Sequence, residues 1–168
     1  MTAAAVISRQ LDALASIVMG IDDGAYAARP VADVSGSIGE HVRHCLDHIG
    51  ALVAANGTTP LSYDRRERGT AVERSPAEAL RLIMRMKSVV ERWDDRTMDE
   101  PLYVTSMLTT AGESVAGWST LGRELAFVNS HTIHHQAMIA VLLSFAGLEI
   151  PERLGLAPAT PSRHSGAM

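Results

Sequence analysis

Between about Ser119 and Gly147 the chain repeats apolar residues at helical spacing, through Leu121, Leu125, Val128, Ile139, Leu142 and Leu143. A helix of that length must lay its apolar face against others, and three further segments carry the matching pattern. Residues 3–19 set Val6, Leu11, Leu14 and Val18 three to five positions apart, and Gly20 with the Asp22-Asp23-Gly24 cluster ends that helix. Ser37-Ile38-Gly39-Glu40 reads as a capping box, in which the serine and glutamate satisfy each other's backbone N–H, and opens a helix running to about Asn56-Gly57. Ser75-Pro76-Ala77-Glu78 repeats the signature with proline at the first helical position, and the helix it opens runs through Leu80, Ile83, Met84, Val90 and Trp93. The pattern predicts an all-α fold, an antiparallel four-helix bundle occupying residues 1–150.

The remaining segments read as connections. A loop carrying Pro30 follows the first helix, and the Asp64–Arg68 run has no clean period, as in a solvated loop. Residues 101–118 hold two short β-prone pieces around an Ala-Gly turn, which predicts a small hairpin between the third and fourth helices. Residues 151–168 contain three prolines and little apolar content, so they are expected to wrap the surface or to be disordered.

Composition narrows the function classes. Of 168 residues 46% are hydrophobic, enough for one domain with a buried core, while only 4% are aromatic, so Leu, Val, Ile, Ala and eight Met must fill it. The net charge is −4 with Lys and Arg scattered, which argues against a nucleic-acid-binding face. No stretch approaches the roughly 20 apolar residues that span a bilayer. Arg9 and Asp12 interrupt the N-terminal segment before a secretory core can form, and one cysteine, Cys45, cannot staple a monomer; a cytoplasmic setting is expected.

Six of the seven histidines fall in two groups. His41, His44 and His48 share one face of a helix, at i, i+3 and i+7. His131 and His135 are one turn apart, the spacing by which a helix offers two imidazoles to one metal, with Cα atoms about 6 Å apart. Burying imidazoles without partners costs roughly 1–3 kcal/mol for each unmade hydrogen bond, and a metal ion removes that cost by using the lone pairs. His134 points about 60° from His131 and 100° from His135, towards the edge of such a site. His164 lies in the tail. Cys45 is about 100° around the helix from His44, pointing away, and reads as a small buried hydrophobe.

Residues 36–55 and 119–147 resemble the DinB/YfiT-like family of metal-dependent enzymes. The segment from Ser119 to His135, followed by Gln136-Ala137-Met138, carries the strongest likeness. Family members place a His-x-x-x-His pair on the last bundle helix and a third histidine on the second helix, three residues before an acidic position. By that resemblance His131 and His135 are the pair and His44, three before Asp47, is the third ligand of a divalent metal ion. His48 and His41 stand as alternatives or outer partners to His44, and Asp47 as a candidate acceptor for a ligand's N–H. Many members follow the last histidine with Arg-Gly-Gln, where this chain has Gln136-Ala137-Met138.

Three neutral imidazoles leave coordination positions open, the catalytic rather than the structural pattern, and they suit zinc, nickel and iron alike. Characterised relatives in the family include S-transferases and isomerases that use low-molecular-weight thiols such as bacillithiol or mycothiol. The resemblance therefore implies a small-molecule partner, a thiol among the candidates, and a homodimer; no residue is assigned a catalytic role. Leu11, Leu14 and Val18 offer a dimer face, with intramolecular core the better reading. The alternatives are metal-assisted hydrolysis, with Asp47 or Glu124 as base, and a stress-response protein that holds metal without turnover. The family's damage-inducible name prompts DNA binding, against which the absence of a basic patch stands. Arg65, Arg66 and Arg68 form a candidate anion contact.

Overall fold

The computed structural model describes residues 2–29, 35–64, 67–93 and 96–160. Pro30, Arg65, Arg66, His164 and the tail beyond Thr160 lie outside the described residues.

The chain is mostly helical. Four long helices, α1 (Ala3–Met19), α3 (Ile38–Ala54), α4 (Pro76–Val90) and α5 (Leu121–Phe145), are joined by a short one, α2 (Asp23–Ala27), and a 3-10 turn at Ala71–Glu73. Helix α1 packs on α4 and α5, and α3 packs on the same two. The core between them is aliphatic: Ile7, Leu11, Leu14, Val42, Leu46, Ile49, Ile83, Leu121 and Ile139 are all essentially inaccessible to solvent. Leu11, Leu14 and Val18 belong to this core rather than to a dimer face.

Several sequence expectations need correction. The protein is not all-α, since strands β1 (Leu61–Ser62), β2 (Pro101–Met107) and β3 (Ser114–Thr120) form a three-stranded sheet in that order. The expected hairpin is β2–β3, antiparallel, with Tyr103 opposite Trp118; β1 extends it by pairing parallel to β2, Leu61 against Val104. The Asp22-Asp23-Gly24 cluster does not merely end the first helix. Asp22 accepts a hydrogen bond from the Ala25 N–H and so caps α2.

The Ser37 capping box forms with both bonds in place, the Glu40 N–H to Ser37 Oγ at 3.2 Å and the Ser37 N–H to Glu40 Oε2 at 2.7 Å. Pro76 opens α4 as expected, but Ser75 makes no side-chain cap, and Glu78 pairs with Arg81 instead. The start of α3 is pressed against the 3-10 turn. Arg43 Nε donates to Glu73 Oε1 at 2.9 Å, Arg43 Nη1 to Asp47 Oδ2 at 2.5 Å, and Tyr26 Oη to the Val72 carbonyl at 3.0 Å. Beyond α5 the chain turns back, with Leu154 packed on the core and Gly155, at φ 71°, so close to Ala137 that a side chain there would meet its backbone.

Candidate metal centre

The histidines converge where α3 crosses α5. His44 and His48 lie one turn apart on α3, both buried; His131 and His135 lie one turn apart on α5, both half-buried. One nitrogen from each of His44, His48 and His131 falls within 4.8 Å of the others. His44 and His131 meet Nε2 to Nε2 at 2.8 Å. His135 is not in that three-nitrogen group but packs against it, its ring centroid 4.4 Å from His44 and 4.6 Å from His131. The three residues named by the resemblance are thus brought into ring contact, and His48 joins them, 4.2 Å from His131.

Hydrogen-bond chemistry narrows the tautomers. His48 Nδ1 lies 3.1 Å from the His44 carbonyl oxygen; a carbonyl only accepts, so Nδ1 carries the hydrogen and Nε2 keeps its lone pair. His41 Nδ1 and His135 Nδ1 are 2.9 Å apart, so one of them donates to the other. If His135 donates, its Nε2 is left as a lone pair and His41 acts as the outer partner that orients it. His41 Nε2 is a buried ring nitrogen with no hydrogen-bond partner among the described residues. His134 is exposed at the edge, 5.3 Å from the His135 ring.

Two of these imidazoles, His135 and His41, are shifted towards the neutral form. Burial, followed by the neighbouring His131, His41, His134 and His48, pulls His135 from 6.5 to about 3, and burial also lowers His41. Ring nitrogens brought face to face offer the lone pairs a divalent ion requires, and a depressed pKa favours it because binding competes with protons for those lone pairs. The donor set therefore fits the ion.

An aromatic wall, not foreseen from the sequence, flanks the cluster. Tyr63, just after β1, stacks on His48 with rings 5.3 Å apart and 4° from parallel, and Phe127 leans on Tyr63, His48 and His131. Tyr63 Oη donates to Glu124 Oε2 at 3.1 Å and Ser119 Oγ to Glu124 Oε1 at 2.6 Å, so this buried carboxylate is fixed at the wall's base. Burial and the Glu124 charge both raise the Tyr63 hydroxyl's pKa, keeping it protonated as the donor.

The other candidates fall elsewhere. Asp47 accepts from Arg43 in the brace to the 3-10 turn. Cys45 is fully buried, and burial pushes its thiol up to about 12, the opposite of an activated nucleophile. Arg68 is exposed. A cleft of about 690 Å³ lies on the sheet between Thr59, Ser62, Asp64, Thr105 and Ser114 and includes none of the histidines. No helix among the described residues is long and apolar enough to cross a membrane.

A mostly helical protein whose two longest-range histidine groups meet nitrogen to nitrogen across one helix contact has the make-up of a metal-binding protein. The chain belongs to the DinB superfamily, whose profile matches residues 7–139. It is also similar to FK506-binding protein 5 of Rhizopus delemar, 31% identical over 103 residues; the match takes in 61% of this chain and 27% of that protein, so the chain spans about a quarter of the relative's length. No solved structure matches it.

Proposed function

We propose that this protein is a metal-dependent enzyme whose divalent ion is held by His44, His131 and His135, acting as an S-transferase or isomerase on a low-molecular-weight thiol and an electrophilic small molecule. The observation that supports it most is the convergence of imidazoles from α3 and α5, with His44 and His131 only 2.8 Å apart at Nε2. Membership of the DinB superfamily points the same way. We further read the four long helices as an antiparallel bundle, supported by the ring of contacts among α1, α4, α3 and α5.

The ion, when bound, supplies Lewis acidity and lowers the pKa of a thiol or water bound beside the protein ligands. The chain's residues supply the rest. His41 orients His135 through its Nδ1 contact, Tyr63 and Phe127 exclude water from the flank of the cluster, and Glu124 holds Tyr63 in place. No base is assigned, and among the described residues the hydrolytic alternative lacks a carboxylate on the cluster itself: Asp47 is tied to Arg43 and Glu124 to Tyr63 and Ser119.

Elemental analysis of protein purified without added metal or a polyhistidine tag tests the reading, with wild type beside His131→Ala. About one equivalent in the wild type and a trace in the variant is expected, and the metal found then enters thiol-transfer assays. Metal-free wild type, even after incubation with zinc, nickel and iron(II), would refute the site. Retained metal with no turnover of thiol–electrophile pairs would favour a metal-holding protein without catalysis.

A further inference from the structure

The sequence resemblance names three ligands, but the structure pairs the helices two against two. His44 and His48 on α3 have the same one-turn spacing as His131 and His135 on α5, and the two pairs face each other. Ring centroids lie 4.5 Å apart for His44 and His48, 4.9 Å for His44 and His131, 4.2 Å for His48 and His131, 4.4 Å for His44 and His135 and 4.6 Å for His131 and His135. We infer that His48 is a fourth ligand, so that the ion sits among two imidazoles from each helix.

Three observations on His48 carry this. Only 2% of it is exposed, so it is not a surface ring that happens to approach. Its Nδ1–H is taken by the His44 carbonyl at 3.1 Å, which fixes the tautomer with Nε2 as the lone-pair nitrogen, the arrangement ligating histidines adopt when a backbone acceptor orients them. Tyr63, stacked 4° from parallel on its outer face, stops the ring from swinging out. One of its ring nitrogens also lies with one each from His44 and His131 inside a single 4.8 Å group, which packing alone does not require.

The consequence bears on catalysis. Four imidazoles saturate a tetrahedral ion, so a zinc form is closed in the manner of a structural site. An ion that accepts five or six ligands keeps a position for a thiol or water. The fourth ligand therefore makes the reactivity of this site depend on which metal occupies it.

The inference rests on the metal reading above, and the experiment separates the two. Wild type and His48→Phe are loaded with cobalt(II), and the imidazole count is read by X-ray absorption, alongside the visible ligand-field band and the affinity from chelator competition. Phenylalanine keeps the ring volume and the stack on Tyr63 but has no lone pair. Four imidazoles falling to three, a shifted band and an affinity lowered more than about tenfold are expected, since loss of even an outer partner costs that much. Three imidazoles in both proteins with equal affinity would overturn the fourth ligand and leave the metal site standing. Failure of the wild type to bind cobalt at all would overturn the metal reading itself, and the fourth ligand with it. Should the variant not fold, NMR of isotope-labelled histidine in wild type decides it: a His48 Nε2 resonance displaced by zinc(II) supports the inference, and one left in place overturns it.

Discussion

Gly39→Ala is the substitution that most directly probes how the histidine-bearing helix α3 is seated. Gly39 lies in the first turn of α3, two residues before His41, and an added Cβ would stand 2.1 Å from the Glu73 carbonyl oxygen and 2.7 Å from the Tyr26 ring. Carbon and carbonyl oxygen approach comfortably only to about 3.3 Å, so one partner must retreat by roughly an ångström. Neither moves freely. Glu73 is held by Arg43 at 2.9 Å, and Tyr26 is fully buried with its hydroxyl on the Val72 carbonyl at 3.0 Å. Overpacking of this kind costs about 1–3 kcal/mol, here at the upper end because both obstacles are braced. Alanine's better helix propensity returns up to about 1 kcal/mol, leaving a net loss of about 2 kcal/mol. For a chain of this size that lowers Tm by about 4–8 °C. Urea unfolding should show a lower midpoint at unchanged slope. Gly117→Ala on β3 is the control, since nothing lies within 4 Å of its added carbon, and it should be neutral or slightly stabilising. A Gly39→Ala protein as stable as wild type would refute the account of how α3 meets the 3-10 turn.

Two further outcomes are expected. Tyr63→Phe removes the Oη donor to Glu124 Oε2 but keeps the ring on His48. It should therefore lower stability by about 1–3 kcal/mol while leaving metal content unchanged; an unaltered urea midpoint would contradict the buried hydrogen bond. The metal-free protein should weaken in acid, because His135 sits at about 3 when folded against 6.5 when unfolded, with burial the leading cause. Between those values the unfolded chain binds more protons, so stability is intact above about pH 6.5 and declines as pH falls towards 3. Urea midpoints measured with chelator across that range should fall, and fall less in His135→Asn; a midpoint that rises on acidification would sink the assignment.

What could be read from the chain depended on how local the cause was. The Ser37–Glu40 box needs only four residues, and it formed as read. At Ser75 the same pattern lost its side-chain bonds because Glu78 is also one turn from Arg81, a competition that residue spacing alone does not weigh. Strand β1 was illegible, since two residues gain strand geometry only from β2, some forty positions away. Tyr63 was missed for a similar reason: nothing in its neighbourhood shows that the β1 pairing carries it onto His48.

The histidines are the instructive case. Spacing marked His131 and His135 as a pair at once, yet His44 and His48 have the same spacing and were read instead as part of a three-member face with His41. The ambiguity is physical, because on an isolated helix His41, His44 and His48 lie within about 60° of one another, and periodicity does not say which two look inward. The partner helix decides it. The α5 contact places His44 against His131 at Nε2, and the His44 carbonyl, itself part of the α3 backbone ladder, then orients His48 towards the same point. His41, a turn nearer the N-terminus, meets His135 by Nδ1 at 2.9 Å, which on the proposed reading makes it the outer partner. On the proposed reading one helix gives two histidines to the ion and one to support, a division that arises only when a second helix, with its own pair, fixes where the rings converge.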